Sequence, residues 1–180
     1  VAAPTDSGRV ASSTTGVSTS HTVNLGSPSV GQLLILFIRF AAAPGTVTVT
    51  GWSQLKTDAT DASDDTTQIY YKYATGSEGA SMTVTTTNSV KMAAVCWRLT
   101  NGMDPATSVP AASTVAIGTT AANSGNPTSV SPVGGTQDVL YIAMMGLDGE
   151  LNTPTAGPSG YSNLITSNSG TAGAVATNCS

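Results

Sequence analysis

The run Gln32–Phe40, QLLILFIRF, limits the possible folds more than any other stretch of the chain. It is the one long uninterrupted apolar segment, opened by Gly31 and closed by Ala41-Ala42-Ala43-Pro44-Gly45. Its length, its β-branched and aromatic side chains and its Gly/Pro punctuation predict a strand covered on both faces. It falls well short of the roughly 18 apolar residues a membrane-spanning helix needs, and Arg39 interrupts its end.

The remaining segments are short and alternating. His21-Thr22-Val23-Asn24-Leu25 predicts a first strand, and TVTVT at 46–50 sets valines on one face and threonines on the other, as in a half-buried antiparallel strand. Trp52 and Leu55 read as plugs at one end of the core. Gln68–Ala74 alternates Ile69, Tyr71 and Tyr73 against Tyr70 and Lys72. Strands are also expected over Ala80–Thr85, Lys91–Leu99, Thr114–Ile117, Asp138–Met145 (DVLYIAMM, as a third buried strand) and Tyr161–Ile165. No window of 11 or more residues combines helical periodicity with caps. Many short strands joined by Gly- and Pro-rich turns predict an all-β, antiparallel β-sandwich of jelly-roll-like type.

At 180 residues the expected organisation is an extended N-terminal arm over 1–20 and a single sandwich domain over 21–180. The arm is rich in Ser, Thr, Gly and Ala and is expected to be mobile or laid across a neighbour. Residues after Ile165 are weakly patterned, as expected if the chain belongs to a longer protein. GQLLILFI followed by GWSQL is echoed by TQDVLYIAMM followed by GYSNL, which suggests two similar strand pairs.

Composition narrows the function classes. Charged residues are 9 % of the chain, against about a quarter in ordinary domains, while Ser and Thr together number 51. With a net charge of −4, no basic run and few aromatics, nucleic acid is not an expected partner. A surface poor in Lys and Glu suits either coverage by neighbouring copies or an extracellular β-domain. Cys96 lies in an apolar run and reads as a buried thiol; with Cys179 it allows one disulfide at most.

Chemistry-bearing constellations are sparse. Asp58, Asp61, Asp64 and Asp65 form the one acidic concentration, a weak candidate for Ca²⁺ that lacks the EF-hand spacing and its closing Glu. A solvated acidic loop is the plainer reading. His21 is the sole histidine, so a His-based metal site is not expected, and no Gly-x-Ser-x-Gly elbow, phosphate loop or Cys-x-x-Cys pair is present. No cofactor and no catalysis are expected. Trp52 and Trp97 read as core or corner packing, with sugar stacking as the alternative. The interface candidates are Val1 and Arg9 on the arm, His21 at a strand start, and Tyr70 and Lys72 on the parity opposite Ile69.

The order GQLLILFI, GWSQL, IYYKYATGSEGASMTVTTT, AAVCWRLTNGMDP resembles a family of tailed-phage and prophage β-sandwich proteins found among virion structural and tail-associated products. The resemblance runs from about residue 20 to 165. It rests on Gly31-Gln32, where Asp is commoner than Gln, and on Gly51, Trp52 and Leu55. It continues through Tyr71, Ala74, Gly76, Glu78 and Gly79 to Gly102, Asp104 and Pro105. These motifs are structural and carry no catalytic assignment. The resemblance implies a virion component, either a capsid decoration protein or a tail or fibre domain. Taken with the absence of catalytic motifs, the expected function is a non-enzymatic structural protein on the virion surface, a capsid decoration protein bound to the major capsid protein or to tail proteins. It further implies a homo-oligomer, with a trimer favoured. The alternatives are a tail-fibre or receptor-binding domain that recognises host glycans and, from another class, a glycan-acting enzyme. The first would need an exposed aromatic groove. The second would need paired carboxylates in a cleft.

Overall fold

A computed structural model describes residues 3–57, 65–101, 109–113, 139–148, 159–162, 164–170 and 175–179. Among these the chain is all-β and antiparallel, with no helix. The strands are β1 (Thr5–Asn24), β2 (Leu33–Phe40), β3 (Val47–Thr48), β4 (Ser53–Thr57), β5 (Thr66–Tyr73), β6 (Ser81–Thr100), β7 (Met144–Asp148), β8 (Ile165–Asn168) and β9 (Val175–Cys179). One sheet runs β1-β6-β2-β5-β4, with β3 added on β6, and a second runs β7-β9-β8.

The apolar run becomes β2, and all eight of its residues are buried. Period-two alternation divides them between two cores. Leu34, Leu36, Ile38 and Phe40 join Val23, Leu25, Val84, Val90, Met92 and Cys96 in one, and Leu33, Ile35 and Phe37 join Ile69, Val95, Trp97 and Leu99 in the other. The strand is apolar on both parities because both of its faces are covered.

The first core is covered by the chain's own long ribbon. Thr5–Thr14 of β1 pair with Met92–Thr100 of β6, and Ser20–Asn24 pair with Ser81–Thr85; the register shifts between Thr14 and Ser20. The backbone N–H of Asn24 donates to the Ser12 hydroxyl at 2.7 Å. Twelve residues of straight strand would span about 40 Å, so this contact requires the ribbon to double back on itself. Its outer half, extended by β3, lies over the even face of β2. The second core is covered by the sheet of β7, β8 and β9, with Ile142, Met144 and Ile165 packing into it. Ser167 of β8 also donates to the carbonyl of Ser12 at the β1 edge.

Three expectations are corrected here. Residues 5–20 do not form a separate arm: they belong to the 20-residue strand β1, whose alternation is weak because most of its residues lie at an exposed edge. Residues 139–143 form no strand, and Val139, Leu140 and Tyr141 are exposed; pairing starts only at Met144. The weakly patterned end after Ile165 supplies β8 and β9. With β7 they take the order β7-β9-β8, the counterpart of β2-β5-β4, so GWSQL and GYSNL each lead into a strand that flanks, with the preceding buried strand, a shared antiparallel partner. Residues 114–117 and Asp138 lie outside the described residues.

Candidate functional site

β1 and β6 pair so that Asp6 stands opposite Leu99, and Arg9 opposite Trp97. In a regular strand residues three apart point to opposite faces. Here the register shifts between Asp6 and Gly8, and the extra residue brings both charged side chains to one side. Arg9 Nη2 then lies 2.6 Å from Asp6 Oδ2, and the Gly8 N–H donates to Asp6 Oδ1 at 2.9 Å. On the reverse side Ser7 donates to the Arg98 carbonyl and accepts from Gln32 Nε2, each at 2.8 Å, which fastens the bulge to the sheet.

The ion pair forms one wall of a half-open groove of about 430 Å³. Trp97, 2 % exposed, and Leu99 line it from β6; Leu140, Tyr141, Ile142, Gly160, Tyr161 and Ser162 line it from two later segments. Tyr141 and Tyr161 are 51 % and 41 % exposed, so both remain open to solvent at the groove. A mostly apolar concavity with a few convergent polar groups is the usual form of a small-ligand site.

A second surface lies on the outside of the folded ribbon. Ser20, Thr22 and Asn24 of β1, Thr48 of β3, and Ser81, Thr83 and Thr85 of β6 are all exposed, whereas His21, Val23 and Val84 between them are buried. Registered pairing places Ser20 and Thr48 on either side of Thr85, and Thr22 opposite Thr83. This face carries hydroxyls and an amide, with no ionised group among these residues.

The residues nominated from sequence fare differently. Asp58, Asp61 and Asp64 lie outside the described residues, as does Val1. Asp65 is 3 % exposed and accepts from Arg39 Nη2 at 2.8 Å, which makes it the partner of a buried guanidinium rather than part of a solvated acidic loop. Among the described residues no group of three or more His, Cys, Asp or Glu side chains could hold a metal ion. Arg9 is half-buried and does reach a candidate site. Tyr70 is buried in the first core, its hydroxyl donating to Gln68 Oε1 at 2.5 Å; the parity argument places it correctly but the face it occupies is covered. Lys72 is committed to Glu78 at 3.2 Å. Burial works against the Glu78 charge, but hydrogen bonds from the Thr75 N–H and hydroxyl and the Lys72 contact hold its carboxyl down at about 2. The Gly76 N–H also donates to it, at 2.9 Å. This carboxylate organises the 75–79 turn, whose Gly76 and Gly79 both take positive φ.

His21 is a core residue, with no exposed surface. The Thr86 hydroxyl gives its proton to the Asn88 carbonyl, so at the 3.3 Å contact His21 Nε2 must be the donor to Thr86. Nδ1 is then a buried lone pair with no hydrogen-bond partner among the described residues. Burial lowers the imidazole pKa from 6.5. The unfolded chain therefore binds the proton more readily, and stability falls as pH drops below about 6.5 toward the folded-state value. In urea unfolding followed across this window, wild type is expected to lose stability while His21→Leu gives a flatter profile. Equal slopes would mean that the ring is hydrated.

Cys96 is buried as a free thiol, pushed up to about 12 by burial, with Arg98 acting weakly the other way. A thiol reagent is expected to leave Cys96 unmodified in the native protein and to label it on unfolding, as read by mass mapping; native labelling would show that the first core opens.

Neither Asp6 nor the two tyrosines were legible as a site. Nothing in TDSGRV marks a bulge, and Tyr141 within VLYIAMM looks like core. No family model, curated protein or solved structure matches the chain.

Proposed function

We propose that this chain is a non-enzymatic structural component of a phage virion, a decoration protein that binds the outer surface of the shell in repeated copies. The observation that carries the reading is the uncharged hydroxyl face on the folded ribbon. Covering hydroxyls removes far less hydration energy than covering ions, and each threonine adds a methyl to the contact. Such a face can be buried and re-exposed at small cost. Contacts of this kind become strong when many copies act together, and closed symmetric association between copies would supply them.

The pairing of the strands supports the same reading. The two halves of β1 pair with the two halves of β6 in two layers, β2 and β5 extend one layer and β3 the other. We read this as a jelly roll with an additional sheet on its second face; jelly rolls recur in capsid proteins and in lectins. The resemblance of residues 20–165 to phage structural proteins points the same way.

The test is cryo-electron microscopy of particles that carry the chain. Copies spread over the icosahedral shell, with Thr22, Thr83 and Thr85 against a neighbour, are the expected result. A Thr83→Glu variant is expected to fold and to lose the shell. Three or six copies confined to the tail would overturn the decoration reading in favour of a receptor-binding domain, which the tyrosine-lined groove favours as the second reading.

A further inference from the structure

We infer that the groove between the β1 bulge and the segments 140–142 and 160–162 is a binding site for a neutral oligosaccharide. This goes beyond the virion reading and does not depend on where the chain sits on a particle.

Three observations converge. The volume, about 430 Å³, falls in the usual range of small-ligand sites, roughly 300–1,000 Å³. Both exposed tyrosines of the described residues border it. An aromatic ring exposed at a groove offers a flat apolar face with a polar tip. A pyranose has the complementary shape, one face of axial C–H groups and a rim of hydroxyls.

The third observation is the wall opposite. Asp6 and Arg9 are ion-paired at 2.6 Å, so neither charge stands alone to select a phosphate, a carboxylate or an ammonium group. What it offers is a dense set of hydrogen-bonding positions of both kinds. The Asp6 carboxylate has lone-pair sites beyond its bonds to Arg9 and Gly8, and the hydroxyls of Ser162, Tyr141 and Tyr161 on the facing segments can both donate and accept. A vicinal diol, with a donor and an acceptor on each oxygen, matches that wall; a purely apolar ligand would leave it unsatisfied.

The wall is also rigid before a ligand arrives. The bulge that brings Asp6 and Arg9 to one side is tied to the sheet through Ser7 and Gln32, and bulges of this kind commonly re-aim a side chain at a site. Because the polar groups are already held, little ordering cost falls on binding. Trp97 is the buried floor of the groove and positions it. The stacking role belongs to Tyr141 and Tyr161.

The experiment is calorimetric titration of the full chain with neutral malto-, cello-, chito- and galacto-oligosaccharides, alongside oligogalacturonates as the charged counterpart. At least one neutral series is expected to bind one to one. Tyr141→Ala and Tyr161→Ala are each expected to weaken it roughly 5- to 10-fold. Asp6→Asn should weaken it by a similar factor, and Ser53→Ala, exposed on β4 at the opposite edge of the sheet from β1, should leave it unchanged. Both tyrosines are exposed, so these variants keep the fold, which unfolding curves check. No binding by any neutral series, tighter binding of oligogalacturonates, or affinity indifferent to both tyrosines would each overturn the inference. None of those results would bear on attachment to a shell, so the two readings fail separately.

Discussion

Arg39→Met is expected to destabilise the protein by about 3–5 kcal/mol, the cost of taking the opposite charge away from a buried carboxylate. Arg39 has the parity of Leu33, Ile35 and Phe37, so its side chain enters the second core instead of leaving it. Its guanidinium donates from Nη2 to Asp65 at 2.8 Å and from Nη1 to Thr67 at 3.3 Å, and the two charged side chains are only 8 % and 3 % exposed. Gly146 of β7 lies over the arginine stem; a Cβ there would come within 2.5 Å of Arg39 Cδ. The missing side chain at 146 is therefore what lets a long cation lie between the sheets. Removing either residue takes from the other its opposite charge in a low-dielectric layer, whereas replacing both by apolar residues is expected to recover most of the loss. Urea midpoints of Arg39→Met, Asp65→Leu and the double variant form the cycle that measures this. Single variants within about 1 kcal/mol of wild type would show that the pair is solvated and energetically minor.

Phe40→Ala is the second large effect, about 3–5 kcal/mol, through the cavity left in the first core. Phe40 has no exposed surface and meets the His21 ring edge to face, centroids 5.8 Å apart and planes inclined at 62°. The same variant has a second consequence that a simple loss of packing lacks. A cavity beside His21 admits water to the bare Nδ1, which relieves the desolvation that lowers its pKa. The acid-dependent loss of stability below about pH 6.5 is then expected to become shallower in Phe40→Ala than in wild type. A large fall in stability with an unchanged pH profile would mean that the core closes over the gap and keeps the imidazole dry.

The sequence by itself determined the class of fold and its centre. An apolar run with no period, bounded by Gly31 and Pro44, can sit only where both faces are covered, and β2 does so. Alternation in Gln68–Ala74 placed Ile69, Tyr71 and Tyr73 on one face and Tyr70 on the other, because period two is a property of the backbone, and the strand expected over Lys91–Leu99 lies within β6. Trp52 and Leu55 pack against the two cores as their neighbours suggested. The depth at which Tyr70 and His21 lie was decided elsewhere: parity says which face a residue is on, and only the packing of a second layer says whether that face meets water.

Tertiary structure alone decided the rest. The weak alternation of residues 5–20 belongs to an edge strand whose partner, β6, lies some eighty residues away, and pairing at that distance leaves no local mark. Asp65 looked like one of four solvated acids until the fold brought it to Arg39, 26 positions earlier. The groove arises in the same way. A one-residue bulge turns Asp6 and Arg9 to one side, and two segments more than 130 residues downstream bring Tyr141 and Tyr161 against them. Hydrophobic pattern encodes burial along the chain, but a site is a convergence across it, and convergence is fixed by which strands pair and which layers stack.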